Sequence, residues 1–251
     1  EVEGEGFALL PKDKVDGALL IKDTEAVTVT WSPEETEQFL KEANRAYNTE
    51  VNDLLLTALG MAVHEWTGIE RVGIVLEGHG REPVVPELDI TRTIGWFTSQ
   101  YPVALEMGGE MEIGARIKRI KEGLRRIPNK GVGYGILKYL SDVSTGSSFS
   151  AEPEITFNYL GQFDQDLAEG TMEVSPYSAG TEVSEEMVQH QALNINGLIT
   201  EGQLQLSVSY NHQQFHVDSV EKFAGILKER LSEVIGHCAR KDRTELTPSD
   251  V

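Results

Sequence analysis

Val72-Gly73-Ile74-Val75-Leu76-Glu77-Gly78-His79-Gly80-Arg81-Glu82 is an apolar run that ends in a charged loop. The run is short, apolar on both faces and bounded by turn residues, which predicts a strand in the middle of a sheet. Four ionisable side chains and two glycines follow within six residues. Glycine reaches φ > 0 without steric cost and suits a strand end. Ionisable groups at the mouth of a buried strand sit on a rigid edge, where sites are commonly built. A solvated loop is the competing reading.

Upstream of this stretch the chain reads as strand, helix, helix. Val27, Val29 and Trp31 alternate with Thr28 and Thr30, as in a half-buried strand. Ser32-Pro33-Glu34-Glu35 opens a helix, with Ser32 as cap, Pro33 at the first position and Glu35 closing a capping box. This helix is expected to run to about Tyr47. Val51, Leu54, Leu55, Ala58, Leu59, Ala62, Val63 and Trp66 share one face of a second helix, closed by Gly68. His64 flanks that stripe as a packing residue.

Downstream, residues 78–99 have little periodicity, and a loop of that length in a compact domain is often functional. Tyr101–Leu105 reads as a strand with Pro102 near its start. Ile113, Ile117, Ile120 and Leu124 mark an amphipathic helix. Lys118, Arg119, Lys121, Arg125 and Arg126 occupy its other side, as a solvated face or a patch for an acidic partner. Pro128–Gly135 is a glycine-rich loop without the Gly-Lys-Ser/Thr of a phosphate-binding loop. A short helix over 136–140 and a flexible polar segment over 144–150 come next. Ile155–Leu160 is a strand ending in Gly161-Gln162-Phe163-Asp164. Residues 193–199 and 204–210 alternate around Glu201-Gly202, a hairpin signal. A last helix spans about 217–237. The order β-α-α-β-β-α-α-β-β-β-α predicts an α/β fold: a mixed sheet covered by helices mainly on one face. Residues 1–24 and 241–251 read as entering and exit linkers around a 25–240 core.

Composition removes several functions. With 41 Asp+Glu against 22 Lys+Arg the chain carries −19, which disfavours nucleic acid and anionic membrane surfaces. No run approaches the roughly 18 apolar residues of a membrane span. Cys238 is the single cysteine, so no intrachain disulfide or cysteine metal cluster exists. His212 and His216 straddle a strand end and a helix start, with no carboxylates placeable around them; no metal or resident cofactor is expected. Acidic composition without a signal-like N-terminus makes a cytoplasmic location the default. Glu77, Arg81, Asn158 and Tyr159 remain, a set that can move protons and stabilise an oxyanion.

Five stretches together resemble the epimerization domains of nonribosomal peptide synthetases, within the condensation-domain superfamily. They are Asp53–Gly60, Glu77–Glu82, Arg92–Pro102, Pro128–Gly135 and Phe157–Asp164, in the family's order. The resemblance implies a chloramphenicol-acetyltransferase-like lobe and inversion of Cα in an aminoacyl or peptidyl thioester. The thioester would ride on the phosphopantetheine arm of a peptidyl carrier protein. It makes Glu77, Arg81, Asn158 and Tyr159 the catalytic candidates, with Arg81 orienting Glu77. His79, Trp96, Thr98, Ser99 and Tyr134 become candidates for substrate contact, with packing as the rival role for Trp96. The family's His-His-x-x-x-Asp-Gly loop is absent, since no two histidines are adjacent here. That implies a C-terminal lobe, inactive alone, with an N-terminal lobe and neighbouring synthetase modules as partners. A peptide-bond-forming condensation lobe and a non-catalytic carrier-docking module are the alternatives.

Overall fold

A computed structural model describes residues 6–14, 19–85, 87–140, 152–162, 177, 180 and 183–251. The expectations for 144–150, for Phe163 and Asp164, and for much of 170–182 lie outside the described residues. The elements are β1 (Thr24–Thr30), α1 (Pro33–Lys41), α2 (Val51–Thr67), β2 (Arg71–Gly78), β3 (Ser99–Glu106), α3 (Ile113–Arg125), α4 (Val132–Tyr139), β4 (Ile155–Gln162), β5 (Leu193–Thr200), β6 (Gln203–Asn211) and α5 (Val217–Ala239). They follow the expected order.

One mixed sheet runs β1-β6-β5-β4-β2-β3. β2 pairs parallel with β4, and β4 with β5, while the other neighbours are antiparallel. Alternation decides which side is wet. Val72, Ile74 and Leu76 of β2, Leu193, Ile195 and Ile199 of β5, and Leu204, Leu206 and Val208 of β6 are buried under the helices. The other face of these strands carries Val75 and Glu77, Asn194 and Asn196, and Gln205, Ser207 and Ser209. β2 is therefore interior, but its two faces differ. Only the helix side is fully buried, and Gly73 on the other side lies under the Phe7 ring, where a Cβ would meet ring carbon at 2.3 Å.

Local signals set the element ends. Ser32 and Glu35 form the capping box of α1 with Pro33 in the first turn. Gly68 closes α2 in the left-handed region at φ 76. Glu201 and Gly202, both at positive φ, make the tight β5–β6 hairpin. α1 stops at Lys41, short of the expected end near Tyr47. A 3₁₀ turn over Ala43–Ala46 takes over and buries Ala43, Ala46 and Tyr47 in the core. In the glycine-rich stretch, Asn129, Lys130 and Gly131 take positive φ and Val132 already begins α4. The turn thus precedes the helix, and Gly133, Tyr134 and Gly135 are helical.

Described residues of both segments read as linkers pack onto the lobe. Leu10 is buried, and Glu154 accepts from its amide and from Lys12. At the other end Asp250 and Glu245 fold back onto α3. Lys121 is buried and donates to Asp250 at 2.6 Å and to the Tyr47 carbonyl at 2.9 Å. Lys118 reaches Glu245 at 2.6 Å. On the basic side of α3, Arg119, Arg125 and Arg126 are exposed, Lys118 is half-buried and only Lys121 is buried. Residues 245–250 supply acidic partners for the two lysines, and Asp53 of α2 supplies one for Arg125.

Candidate active site

Glu77 is the last side chain of β2 on the open face. Register brings its partners to it. Antiparallel pairing sets Glu77 directly opposite Gln100 of β3. Parallel pairing of Leu76 with Phe157 places Asn158 of β4 one step further along, beside Glu77 on the other side. Paired residues share a face, so the three side chains converge. Gln100 Nε2 donates to Glu77 Oε1 at 2.8 Å, and Asn158 Nδ2 donates to Oε2 at 2.9 Å. A carboxylate only accepts, so both amides must present nitrogen to it. The same row continues through Asn196 of β5 and Ser207 of β6 to Thr28 of β1.

Arg81 does not orient Glu77. Its guanidinium donates to the carbonyls of Ile90 and Gly95 and lies 4.2 Å from the centroid of the Phe97 ring. It thereby ties Arg81 to residues 90–97 of the loop. Gly80 meets the same segment: at φ 66, a Cβ there would sit 1.6 Å from the Phe97 carbonyl oxygen. His79 is loop structure as well. Its Nδ1 accepts from the Arg81 amide at 3.0 Å, so Nε2 carries the hydrogen that faces Glu82 at 3.0 Å.

Tyr159 faces the opposite side of the sheet from Asn158. It packs with the core beside Gly197 and Leu206, and burial pushes its phenol up. Strand alternation explains this, since adjacent residues cannot share a face. Ser99 is turned the same way, adjacent to Gly78, with its hydroxyl buried and unpartnered among the described residues. Trp96 is 92% exposed, so it packs on nothing described in this lobe, and Thr98 is exposed too. Tyr134 stands in the first turn of α4, its ring centroid 5.8 Å from the Lys138 ammonium. Gly131 just before it is needed: a Cβ would overlap the Tyr101 ring at 2.1 Å.

Of the candidates read from sequence, Glu77 and Asn158 are brought together. Gln100 had no assigned role; the signal that points to it is strand pairing, since it lies directly across from Glu77. Among the described residues no group of three or more His, Cys, Asp or Glu is arranged for a metal ion. None of the helices there is long and apolar enough to cross a membrane.

A family model described as "Condensation domain" matches residues 2–251. One of the mycosubtilin synthase subunits of Bacillus subtilis is 54% identical over 242 residues, covering 96% of this chain and 9% of that protein. Gramicidin S synthase 1 of Brevibacillus brevis is 49% identical over 227 residues, covering 86% of this chain and 21% of that protein. Among solved structures, the epimerization domain from the third module of tyrocidine synthetase B aligns with a TM-score of 0.87 at 41% identity. That alignment covers 96% of this chain and 54% of the solved domain, so the chain spans about half of it. The six-stranded mixed sheet with its helical layer is thus a chloramphenicol-acetyltransferase-like lobe, and the chain belongs to the condensation-domain family of nonribosomal peptide synthetases.

Proposed function

We propose that this lobe is one half of an epimerization domain. Its substrate is an aminoacyl or peptidyl group held as a thioester on the phosphopantetheine arm of a carrier protein. The observation that carries the reading is the Glu77 carboxylate, fixed at an open sheet end by Gln100 and Asn158, in a chain 41% identical to a solved epimerization domain.

The chemistry needs proton-handling groups on both faces of Cα. A base takes the Cα proton, and the C–H electron pair moves onto the thioester carbonyl as an enolate. A donor on the opposite face then returns a proton to Cα and the carbonyl re-forms. Each such group contributes typically about 10²–10⁴-fold. Glu77 is one of the two; the second would come from the N-terminal lobe. Asn158 acts through Glu77 as a positioning residue. The open row beyond it, Asn196 and Ser207, offers hydrogen bonds suited to an amide-bearing arm. Synthetases in which the lobe spans 9% and 21% of the length support neighbouring modules as partners; the reading adds a carrier protein and a cytoplasmic setting.

In the two-lobed domain, Glu77→Gln abolishes Cα–H exchange on a carrier-loaded aminoacyl thioester; full exchange in that variant would sink the assignment. The matching family model is described as a condensation domain, which favours peptide-bond formation as the second reading. Product analysis after mixing loaded donor and acceptor carriers separates them: a D/L mixture supports epimerization, a dipeptide the rival. Binding of loaded carrier without either product would leave a docking module.

A further inference from the structure

We propose that Gln100 is a positioning residue for the Glu77 carboxylate, a proposal that rests on reading Glu77 as a proton-transferring group. Three observations converge on it. Gln100 is the direct cross-strand partner of Glu77. Its Nε2 donates to Oε1 at 2.8 Å, while Asn158 holds Oε2 at 2.9 Å from the opposite side. The ladder continues past it through Ser99 and Gly78, so Gln100 projects from paired backbone.

The chemistry of the clamp has a direction. Two donors on opposite oxygens fix the plane of the carboxylate against rotation about its last bond. Both donors are neutral amides, so they orient the group without cancelling its charge, as an arginine or lysine there would. A carboxylate held in one plane by two neutral donors presents its remaining lone pairs in a fixed direction, as a proton-transferring group requires. Gln100 is exposed on its strand, so its replacement leaves the core intact.

The test is a series at one position in the two-lobed domain with its loaded carrier, read as Cα–H exchange. Gln100→Met keeps the length and loses the donor. It lowers kcat about tenfold with KM unchanged, since misplacement of a catalytic group acts on the chemical step. Gln100→Glu keeps the shape, loses the donor and adds a like charge, and falls further. Tm stays at the parent value in both. A wild-type rate in Gln100→Met overturns the proposal. So does an activity that follows shape, with Gln100→Glu near wild type and Gln100→Met impaired, or one that falls only in step with Tm. Glu77→Gln is run beside them: if it is dead while Gln100→Met is unchanged, the Gln100 proposal alone fails. If Glu77→Gln retains full exchange, the reading of Glu77 itself fails.

Discussion

Asp53 and Glu77 are both carboxylates with donors on each oxygen, and the lobe treats them in opposite ways. Asp53 is fully buried in α2. Arg125 grips it with Nη1 to Oδ1 at 3.1 Å and Nη2 to Oδ2 at 2.8 Å, and the Glu50 amide adds a bond at 2.7 Å. Burial pushes its carboxyl group up, and the Glu50 amide and Arg125 pull against that push. Glu77 is half-buried and meets two neutral amides. The first arrangement joins α2 to α3 by cancelling charge. The second orients a charge and leaves it available. Formal ion pairs cluster where the lobe is held together, from Arg125–Asp53 to Lys121–Asp250 and Lys118–Glu245. None of these is at the end of β2.

Exchanging the two perturbations tests that division. Arg125→Met leaves Asp53 buried without its guanidinium. The usual cost of breaking a buried pair is reduced here because the arginine side chain is 30% exposed; the expectation is a loss of about 3 kcal/mol in urea unfolding. Glu77→Gln shifts stability by no more than about 0.5 kcal/mol while removing the exchange activity. A large stability loss in Glu77→Gln would break the comparison.

Gly80→Ala comes next. The left-handed backbone and the Phe97 carbonyl both oppose a Cβ there, so the loop loses about 2 kcal/mol of local stability. Faster amide exchange across 90–97, with the Glu77 clamp retained, is the expected signature. Arg81→Met removes the ring contact and two carbonyl bonds for about 1 kcal/mol. It too loosens the loop; a rate loss equal to that of Glu77→Gln would restore Arg81 to the site.

Acid acts most gently, and on the structural region. Hydrogen bonds from Lys118 and Lys241 pull Glu245 down to about 2, and Lys121 holds Asp250 well below the usual carboxylate range. Folded values below the unfolded ones mean that the folded state binds fewer protons. This stabilisation is complete above the ordinary glutamate value of 4.5 and is lost as pH falls toward about 2. Amide exchange of 245–250, followed down that range, should rise before exchange at the β5–β6 hairpin does.

Much of this was legible in sequence because it is local. The Ser32–Glu35 box, the Gly68 stop, the Glu201-Gly202 turn and the alternation of β5 and β6 are each written within a few residues. The charged end of β2 was legible for the same reason. What misled was also local. Asn158-Tyr159 read as one functional pair, although adjacent strand residues face opposite ways. Arg81 stands four residues from Glu77, but the loop turns it toward Phe97. The basic face of α3 read as solvated or as a patch for an acidic partner; Arg119 and Arg126 are exposed, while Lys118 and Lys121 meet acidic partners from 245–250 that lie far along the chain.

By itself, then, the amino-acid sequence determined the elements, their order and the identity of the carboxylate at the end of β2, because hydrophobic period, caps and turns act over short spans. Tertiary structure alone decided its company. Gln100 and Asn158 lie 23 and 81 residues from Glu77, and only the antiparallel and parallel registers on either side of β2 place all three side chains on one face.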